Sequence, residues 1–360
     1  MTTTVRQPSA PLRTAVRVAR RPAARTAVAS VVLAALLVAS ALIAVGVGPA
    51  SIAPSDVAAT IWAHLTGGAP VLSPTEDAIV WQLRMPRVLT AALVGGGLAL
   101  CGAVMQALTR NPLADPYLLG LSSGASTGAV IVLVLGVSIA LPVAAFAGAM
   151  LALVFTFAIG RAGGRSSSTS LILAGLAVSA VLSALTSLVI FWSATNDSYR
   201  EILGWLLGSL AGAQWSDVLL VAVVAAVCAV PLLGSARTLD GFALGDTAAT
   251  ALGIPVERMR LALFACCALL TGALVAVSGA IGFVGLILPH ATRAIVGVRH
   301  RALLPTTFLV GALFLLWADT IARTAFDPRE LPVGIVTALV GGPVFAVLLT
   351  RAHRTKLVRR

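Results

Sequence analysis

Residues Gly120 to Gly124 (GLSSG) match the G-x-S-x-G pattern, in which a strained turn between a strand and a helix exposes a nucleophilic serine. With His290 as its general base, such a turn would make the chain a serine hydrolase. The match is short and degenerate, and it follows Asp115-Pro116-Tyr117 rather than a strand-like run. We therefore favour the alternative interpretation, in which these are small residues at the start of a helix.

Other residue types that support catalysis or metal binding are sparse. Lys356 is the only lysine in 360 residues, so no P-loop is present and the chain does not hydrolyse ATP by that route. No H-E-x-x-H motif and no C-x-x-C pair occurs. We therefore predict no catalytic centre, no cofactor, no metal site and no disulfide. The scattered histidines and cysteines are His64, His290, His300, His353, Cys101, Cys228, Cys266 and Cys267.

The composition indicates which elements must position any site. Hydrophobic residues make up 59% of the chain and charged residues 11%, with a net charge of +12. A soluble domain carries about 25% charged residues. These values exclude an ordinary cytosolic enzyme, a disordered chain and a nucleic-acid-binding protein, and they are typical of a membrane protein.

Uncharged runs of about 20 residues predict ten membrane-spanning helices and an all-α fold. Residues 202–214 are apolar but too short to span, and are predicted to be interfacial or re-entrant. Two of the ten spans lie within 116–160, separated by a turn near 138–142. The others are Val28–Val47, Val88–Leu108, Ser170–Trp192, Ser216–Gly234, Leu261–Gly279, Phe283–Val298, Ala302–Ile321 and Val333–Thr350.

The distribution of positive charge predicts the orientation of these spans. With ten spans, 20 of the 25 lysine and arginine residues fall on one side. Cytoplasmic loops carry the excess of positive charge, so both termini are predicted to be cytoplasmic in a multi-pass protein of the cell membrane. The predicted parts are a basic tail (1–27), a ten-helix domain (28–350) with a cytoplasmic loop (235–260), and a second basic tail (351–360), the tails lying near anionic lipid rather than nucleic acid.

Small residues spaced four apart predict close helix packing within the subunit. Two series show this spacing: Gly120, Gly124 and Gly128, and Gly204, Gly208 and Gly212.

Two longer stretches carry ordered motifs. The first contains LRMPR (83–87), LVGGGLA (93–99), GAVMQ (102–106), RNPLADP (110–116) and LGLSSGA (119–125). The second contains GAIGFVGL (279–286), Pro289-His290, Arg293, Arg299-His300-Arg301, Gly311-Ala312, Ala318-Asp319, Arg323, ELPVG (330–334) and GGPVF (341–345). In order and spacing, these motifs resemble the FecCD-type permeases, the membrane subunits of ATP-binding-cassette importers for iron–siderophore, haem and cobalamin.

The resemblance covers about residues 30–350 and implies a type II ABC importer permease bundle working by alternating access. It implies three partners: a cytoplasmic ATPase dimer, an extracytoplasmic substrate-binding protein anchored by lipid, and a second permease subunit, identical or a sister chain. An iron(III)–siderophore is the first expected cargo, with haem or cobalamin as alternatives. An ion-driven secondary transporter is less favoured, because such proteins carry acidic residues inside their spans and here only Asp319 lies near one.

Residues 239–255 (LDGFALGDTAATALGIP) predict a short cytoplasmic helix, with Asp246 as its N-cap and Gly253 ending it. From the residues alone, an ordinary solvated loop is the favoured interpretation. The resemblance instead implies the helix that couples to the ATPase, formed by Leu244, Gly245, Asp246, Ala248, Ala249, Leu252 and Gly253.

Three arginines fall on the side that should carry few of them: Arg84, Arg87 and Arg323. They could be interfacial anchors, and Arg323 could pair with Asp319 four residues before it. The resemblance implies that they receive carboxylates of the binding protein, which suits the bidentate geometry of arginine. It also implies a cytoplasmic gate in the turn before the fifth span, at Ser168 and Thr169.

Overall fold

The computed structural model describes residues 12–69, 71–136, 141–162, 168–193, 196–326 and 328–357. Within these ranges all regular structure is helical, which confirms the all-α prediction. The helices of the first half are α1 (Leu12–Gly46), α2 (Pro54–Thr66), α3 (Pro74–Ala78), α4 (Met85–Thr109), α5 (Leu121–Leu135), α6 (Leu141–Arg161) and α7 (Ser168–Ser193). Those of the second half are α8 (Asn196–Leu206), α9 (Trp215–Gly234), α10 (Ala236–Ala243), α11 (Asp246–Ala251), α12 (Val256–Ser278), α13 (Val284–Val296), α14 (His300–Thr324) and α15 (Val333–Leu357).

Each of the ten predicted spans coincides with a helix. Seven helices among the described residues are long and apolar enough to cross a membrane: Thr26–Gly46, Pro74–Thr109, Leu141–Arg161, Ser168–Trp192, Trp215–Gly234, Val256–Ser278 and His300–Thr324. The other three are apolar but shorter: Leu121–Val134, Val284–Val296 and Val333–Val347. The turn predicted near 138–142 lies largely outside the described residues, and α6 begins at Leu141.

A π-helical segment, Ile79–Arg84, joins α3 to α4, so that one continuous helix runs from Pro74 to Thr109. The backbone N–H of Met85 donates to the carbonyl of Val80, five residues earlier. Such wide turns occur mostly as local insertions in α-helices and frequently at functional sites. Here the segment lies directly before Arg84 and Arg87.

α4 is the central helix of the bundle, and glycines bring its neighbours into backbone contact. A side chain on Gly95 would meet the carbonyl of Gly311 in α14, and one on Gly102 would meet the carbonyl of Gly285 in α13. Almost every α4 residue from Pro86 to Leu108 is buried. α4 therefore packs without side-chain spacers against two helices that lie far away in the sequence.

The first glycine series packs as predicted and the second largely does not. Gly124 and Gly128 of α5 contact the backbone of Gly148 and Ala144 in α6. In the second series, only Gly208 makes a close backbone approach, to Ala280. Open space surrounds the Cβ positions of Gly204 and Gly212, because these two lie at a surface of the subunit.

The stretch predicted to be re-entrant or interfacial is divided between two structures. Its first residues complete α8, and residues 207–214 are not helical. Gly208 in this segment is buried, Ser209 donates its N–H to the carbonyl of Ser278, and Gly334 donates to Gly208. Non-helical backbone within a membrane is tolerated where protein surrounds it, and these hydrogen bonds supply that environment.

Candidate functional site

Polar side chains gather at the two ends of the bundle. We use "outer end" for the end that carries Arg84, Arg87, Asp319 and Arg323, and "inner end" for the end that carries Arg110, Asp246, Arg260, Arg293 and His300. These names follow the orientation predicted from charge.

At the outer end, Arg87 joins α4 to α14 through a buried ion pair. Its Nε donates to Oδ2 of Asp319 at 2.8 Å and its Nη2 donates to Oδ1 of the same carboxylate at 3.0 Å. Its Nη1 donates to Oε2 of Glu330 at 2.6 Å. Asp319 is 1% exposed, whereas the Glu330 side chain is 46% exposed. The guanidinium thus has one buried carboxylate and one at the surface.

Arg84 and Arg323 hold the end of α1. Arg84 donates to the carbonyls of Val45, Gly46 and Ala50 at 2.8–3.2 Å. Arg323 donates through Nη2 to the carbonyl of Ala44, while its buried Nε has no hydrogen-bond partner. The last carbonyls of a helix lack intrahelical donors, so the two guanidinium groups supply donors to the carbonyls of Ala44 and Val45 at the end of α1.

The structure brings together the three arginines predicted to dock a partner, but it directs their side chains into the subunit. Arg84, Arg87 and Arg323 are only 7–8% exposed. Sequence reasoning offered Arg323 as the partner of Asp319, and the structure gives that carboxylate to Arg87 instead. Asp319 and Glu330 were visible as members of the second motif stretch, but nothing in their spacing indicated Arg87, which lies 232 residues before Asp319.

The predicted coupling segment at the inner end consists of two short helices, α10 and α11, joined at Leu244 and Gly245. Asp246 is the first helical residue rather than the N-cap. The N-cap is Gly245, whose φ of +101° favours glycine. Gly253 follows the end of α11 with a φ of +78°, in agreement with its predicted role as the stop.

The two short helices divide their side chains between the bundle and the surface. Ala249 is fully buried and Ala248 is half-buried, so Ala249 does not present its side chain to a partner. Leu244 and Leu252 are 69% and 65% exposed. These two side chains are therefore available for contact with another molecule at the inner end.

Ion pairs of Asp246 and hydrogen bonds of Asp240 fix this segment to the membrane-spanning helices. Asp246 accepts a hydrogen bond from Nη2 of Arg260 in α12 at 2.7 Å, and lies 3.8 Å from Nη2 of Arg110 at the end of α4. Asp240 lies 2.7 Å from Nδ1 of His300 and accepts the N–H of that residue, the first of α14. The coupling segment is therefore bound to three spanning helices by two carboxylates.

Gln106 extends the polar contacts of the inner end. Its Nε2 donates to the carbonyl of Leu286 at 3.0 Å, and its Oε1 accepts from Nη1 of Arg293 at 2.7 Å. Since Gln106 belongs to α4 and the other two residues to α13, the amide joins these helices near the coupling segment. Gln106 is the last residue of the GAVMQ motif, and the structure shows the partners that the sequence does not indicate.

The connection between α4 and α5 contains a half-buried carboxylate. Burial raises the pKa of Asp115 to about 6, although the carboxylate accepts the N–H of Tyr117 at 2.9 Å. Burial also raises the pKa of the Tyr117 hydroxyl, which donates to the carbonyl of Ile281 at 3.0 Å. Tyr117 thereby ties this connection to the break between α12 and α13.

The remaining predicted residues have simpler surroundings. Ser168, the first residue of α7, donates to the carbonyl of Leu108 at 3.3 Å, and Thr169 is exposed. The rest of their turn, residues 163–167, lies outside the described residues.

The GLSSG motif follows a 3-10 helix, Pro116–Leu119, rather than a strand, so it lacks the setting of a hydrolase nucleophile. Within the described ranges, no three His, Cys, Asp or Glu side chains converge as metal ligands would.

Apolar helices of this length, with a buried ion pair at one end of the bundle and a tethered pair of short helices at the other, are those of a multi-pass membrane protein. The chain belongs to the FecCD transport family, whose model matches residues 36–351.

Known proteins of this kind align with most of the chain. It is 44% identical over 278 residues to the cobalamin import system permease protein BtuC of Halobacterium salinarum, covering 76% of this chain and 74% of that one. It is 38% identical over 301 residues to the molybdate import system permease protein MolB of Haemophilus influenzae, covering 83% and 88%. A solved structure described as an inward-facing ABC transporter of metal-chelate type superimposes with a TM-score of 0.76 at 35% identity, covering 89% of this chain and 98% of the other. These findings confirm the resemblance and the importer-permease fold.

Proposed function

We propose that the chain forms the membrane pathway of an ABC importer that takes up a metal chelate, with ATP hydrolysed by separate subunits bound at α10 and α11. The observation that carries this proposal is the attachment of an exposed helix pair to α4, α12 and α14 through Asp240 and Asp246. A force applied to Leu244 or Leu252 is transmitted to three spanning helices through the arginine contacts of Asp246 and the hydrogen bonds between Asp240 and His300. Alternating access requires the spanning helices to adopt two different packed arrangements, and such a force would shift the helices from one arrangement to the other.

Changing Leu244 and Leu252 to aspartate tests this proposal. Both side chains are exposed, so the double variant should fold normally. Placing two charges in an apolar contact should reduce ATPase binding and lower uptake by roughly tenfold or more. The measurement is uptake of cargo into proteoliposomes containing the permease, its ATPase and its binding protein, together with co-purification of the ATPase.

Leu65→Asp is the matched control, because Leu65 is 72% exposed in α2 near the outer end. It should leave both ATPase binding and uptake at the level of the unmodified protein. Full uptake and full ATPase association in the Leu244/Leu252 variant would count against the coupling assignment.

We propose that the cargo is an iron(III)–siderophore, with cobalamin, haem and molybdate as the competing cargoes. The metal-chelate description of the solved relative supports the general class. The names of the aligned relatives point to cobalamin and molybdate. Uptake of radiolabelled ferric siderophore, challenged in turn by an excess of each other compound, distinguishes them, and inhibition by only one of the competitors would reassign the cargo.

We also propose that Arg84, Arg87 and Arg323 contribute to docking of a binding protein at the outer end. Arg87 is the best placed, because its Nη1 is held by the half-exposed Glu330, which a carboxylate from a partner could replace. Arg84 and Arg323 would act by fixing the end of α1 beneath that contact.

At the inner end, Ser168 and Thr169 would form part of the gate, where α7 meets the end of α4.

The variant Glu330→Gln tests the docking role of Arg87. Removing the competing carboxylate should tighten binding of the binding protein severalfold at low salt, and the gain should shrink at high salt because exposed charges are screened over about 8–10 Å. Glu201→Gln, an exposed change in α8, is the control and should not alter affinity. The measurement is binding to the permease in nanodiscs at two salt concentrations, and an unchanged affinity of the Glu330 variant at both would remove Arg87 from the docking surface.

A further inference from the structure

A groove lies between α1 and α14 at the inner end of the bundle. The two helices touch where the Ser30 hydroxyl lies 3.4 Å from the Thr306 hydroxyl. Next to this contact they leave a groove of about 720 Å³. It is lined by Thr26, Ala27, Ser30, Val296, Gly297, Val298, Arg299, Arg301, Ala302 and Pro305.

Small residues account for the empty volume. Ala27 and Ala302 contribute only methyl groups from the two helices, and Gly297 contributes none. No atom lies within 4 Å of the position that a Cβ of Gly297 would occupy. A volume of this size is sufficient for a small molecule, since ligand sites occupy about 300–1,000 Å³.

The charge of the groove is one-sided. Arg299 and Arg301 are exposed, and neither guanidinium has a hydrogen-bond or ion-pair partner among the described residues. None of the described side chains that line the groove is acidic. This contrasts with Arg110, Arg260 and Arg293 nearby, each of which contacts a carboxylate or an amide.

Exposed aliphatic side chains surround the same place. Val298 is 72% exposed and Ile295 is 61% exposed, both beside the groove at the end of α13. A site that joins two free guanidinium groups to an apolar channel between spanning helices is complementary to a molecule with an anionic head and a hydrocarbon chain. Basic pockets between spanning helices on the cytoplasmic side have this complementarity to anionic lipid head groups.

We propose that this groove binds one anionic phospholipid. Arg299 and Arg301 hold its phosphate, and an acyl chain lies along α1 and α14 over Ala27, Ala302 and Pro305. The proposal does not depend on the transported cargo or on the ATPase, because it concerns only these side chains and the surrounding bilayer.

The test is retention of lipid by the purified full-length chain, measured by native mass spectrometry with phosphatidylglycerol and phosphatidylcholine of identical acyl chains. One phosphatidylglycerol should be retained per chain, and in preference to phosphatidylcholine. Each arginine near a membrane surface changes binding of anionic lipid by about fivefold, so Arg299→Gln with Arg301→Gln should reduce retention roughly tenfold to thirtyfold.

Two further variants separate a built site from a general charge effect. Arg237→Gln with Arg258→Gln removes the same charge from exposed positions that do not line the groove, and should leave retention unchanged. Ala302→Trp should displace the acyl chain and abolish retention while keeping both arginines. Equal retention of the two lipids, an equal loss in the control pair, or unaltered retention in either groove variant overturns the proposal.

Discussion

Replacing Asp319 with alanine is expected to lower the free energy of unfolding by about 3–5 kcal/mol, because breaking a buried ion pair leaves the other charge uncompensated. Asp319 is 1% exposed and accepts two hydrogen bonds from Arg87. In the variant, the buried Arg87 would retain only Glu330, and Arg323 nearby would lose the charge of the same carboxylate. We expect the purified protein to melt at a markedly lower temperature, because the ion pair that joins α4 to α14 is lost while its guanidinium stays buried.

Glu330→Gln provides the comparison, because Glu330 bonds the same guanidinium from a side chain that is 46% exposed. An exposed ion pair contributes about 0–1 kcal/mol, so this variant should melt near the unmodified protein. Arg87→Met combined with Asp319→Leu should recover part of the lost stability, since replacing both partners removes the unpaired charge. Similar melting temperatures for the Asp319 and Glu330 single variants would show that burial does not set the strength of this pair.

The second large effect is expected at Gly102. A single methyl group there would meet the backbone carbonyl of Gly285, which belongs to α13 and cannot rotate away as a side chain can. Overpacking of this kind costs about 1–3 kcal/mol or more. We expect Gly102→Ala to destabilise by about 3 kcal/mol, and to abolish uptake, because displacing α13 also separates Arg293 from Gln106.

Gly342→Ala is the matched control, since Gly342 lies inside α15 and has no atom within 4 Å of its Cβ position. The methyl group is accommodated there, so melting temperature and uptake should stay unchanged. Thermal unfolding of both variants in detergent, followed by uptake in proteoliposomes, compares the two sites. If Gly102→Ala had the same melting temperature as Gly342→Ala, the contact between α4 and α13 would be looser than the structure shows.

The helices could be predicted from the sequence because each apolar run is a local property of the chain. The ten predicted spans all fall on helices, including short ones such as α5 and α13. The coupling segment was also predicted as helical, since its small residues and Gly253 are local signals. Its division into α10 and α11 was not predicted, because Gly245 can be read either as part of a helix or as a cap.

Side-chain partners could not be predicted, because they depend on which helices become neighbours. Asp319 was matched to Arg323 by the helical spacing of four, but packing of α4 against α14 brings Arg87 to it from a distant part of the chain. Ala249 was expected on a partner-facing helix, yet the rotation of α11 turns it into the core and leaves Leu244 and Leu252 outside. The rotation of a helix about its own axis is set by tertiary packing. A short helix with many small residues has no clear apolar face, so its sequence does not indicate which side is buried.

The separation of Arg87 and Asp319 also sets a requirement for biosynthesis. At about 5–20 residues per second, the ribosome needs roughly 10–50 seconds to make the 232 residues between them. During that interval the Arg87 guanidinium lacks its buried carboxylate, and for most of it the Gly95 face of α4 lacks Gly311 of α14. Final assembly of the centre of this bundle must therefore await synthesis of α14, and a chain that stalls before it would leave one glycine face and one buried arginine of its most central helix without a partner.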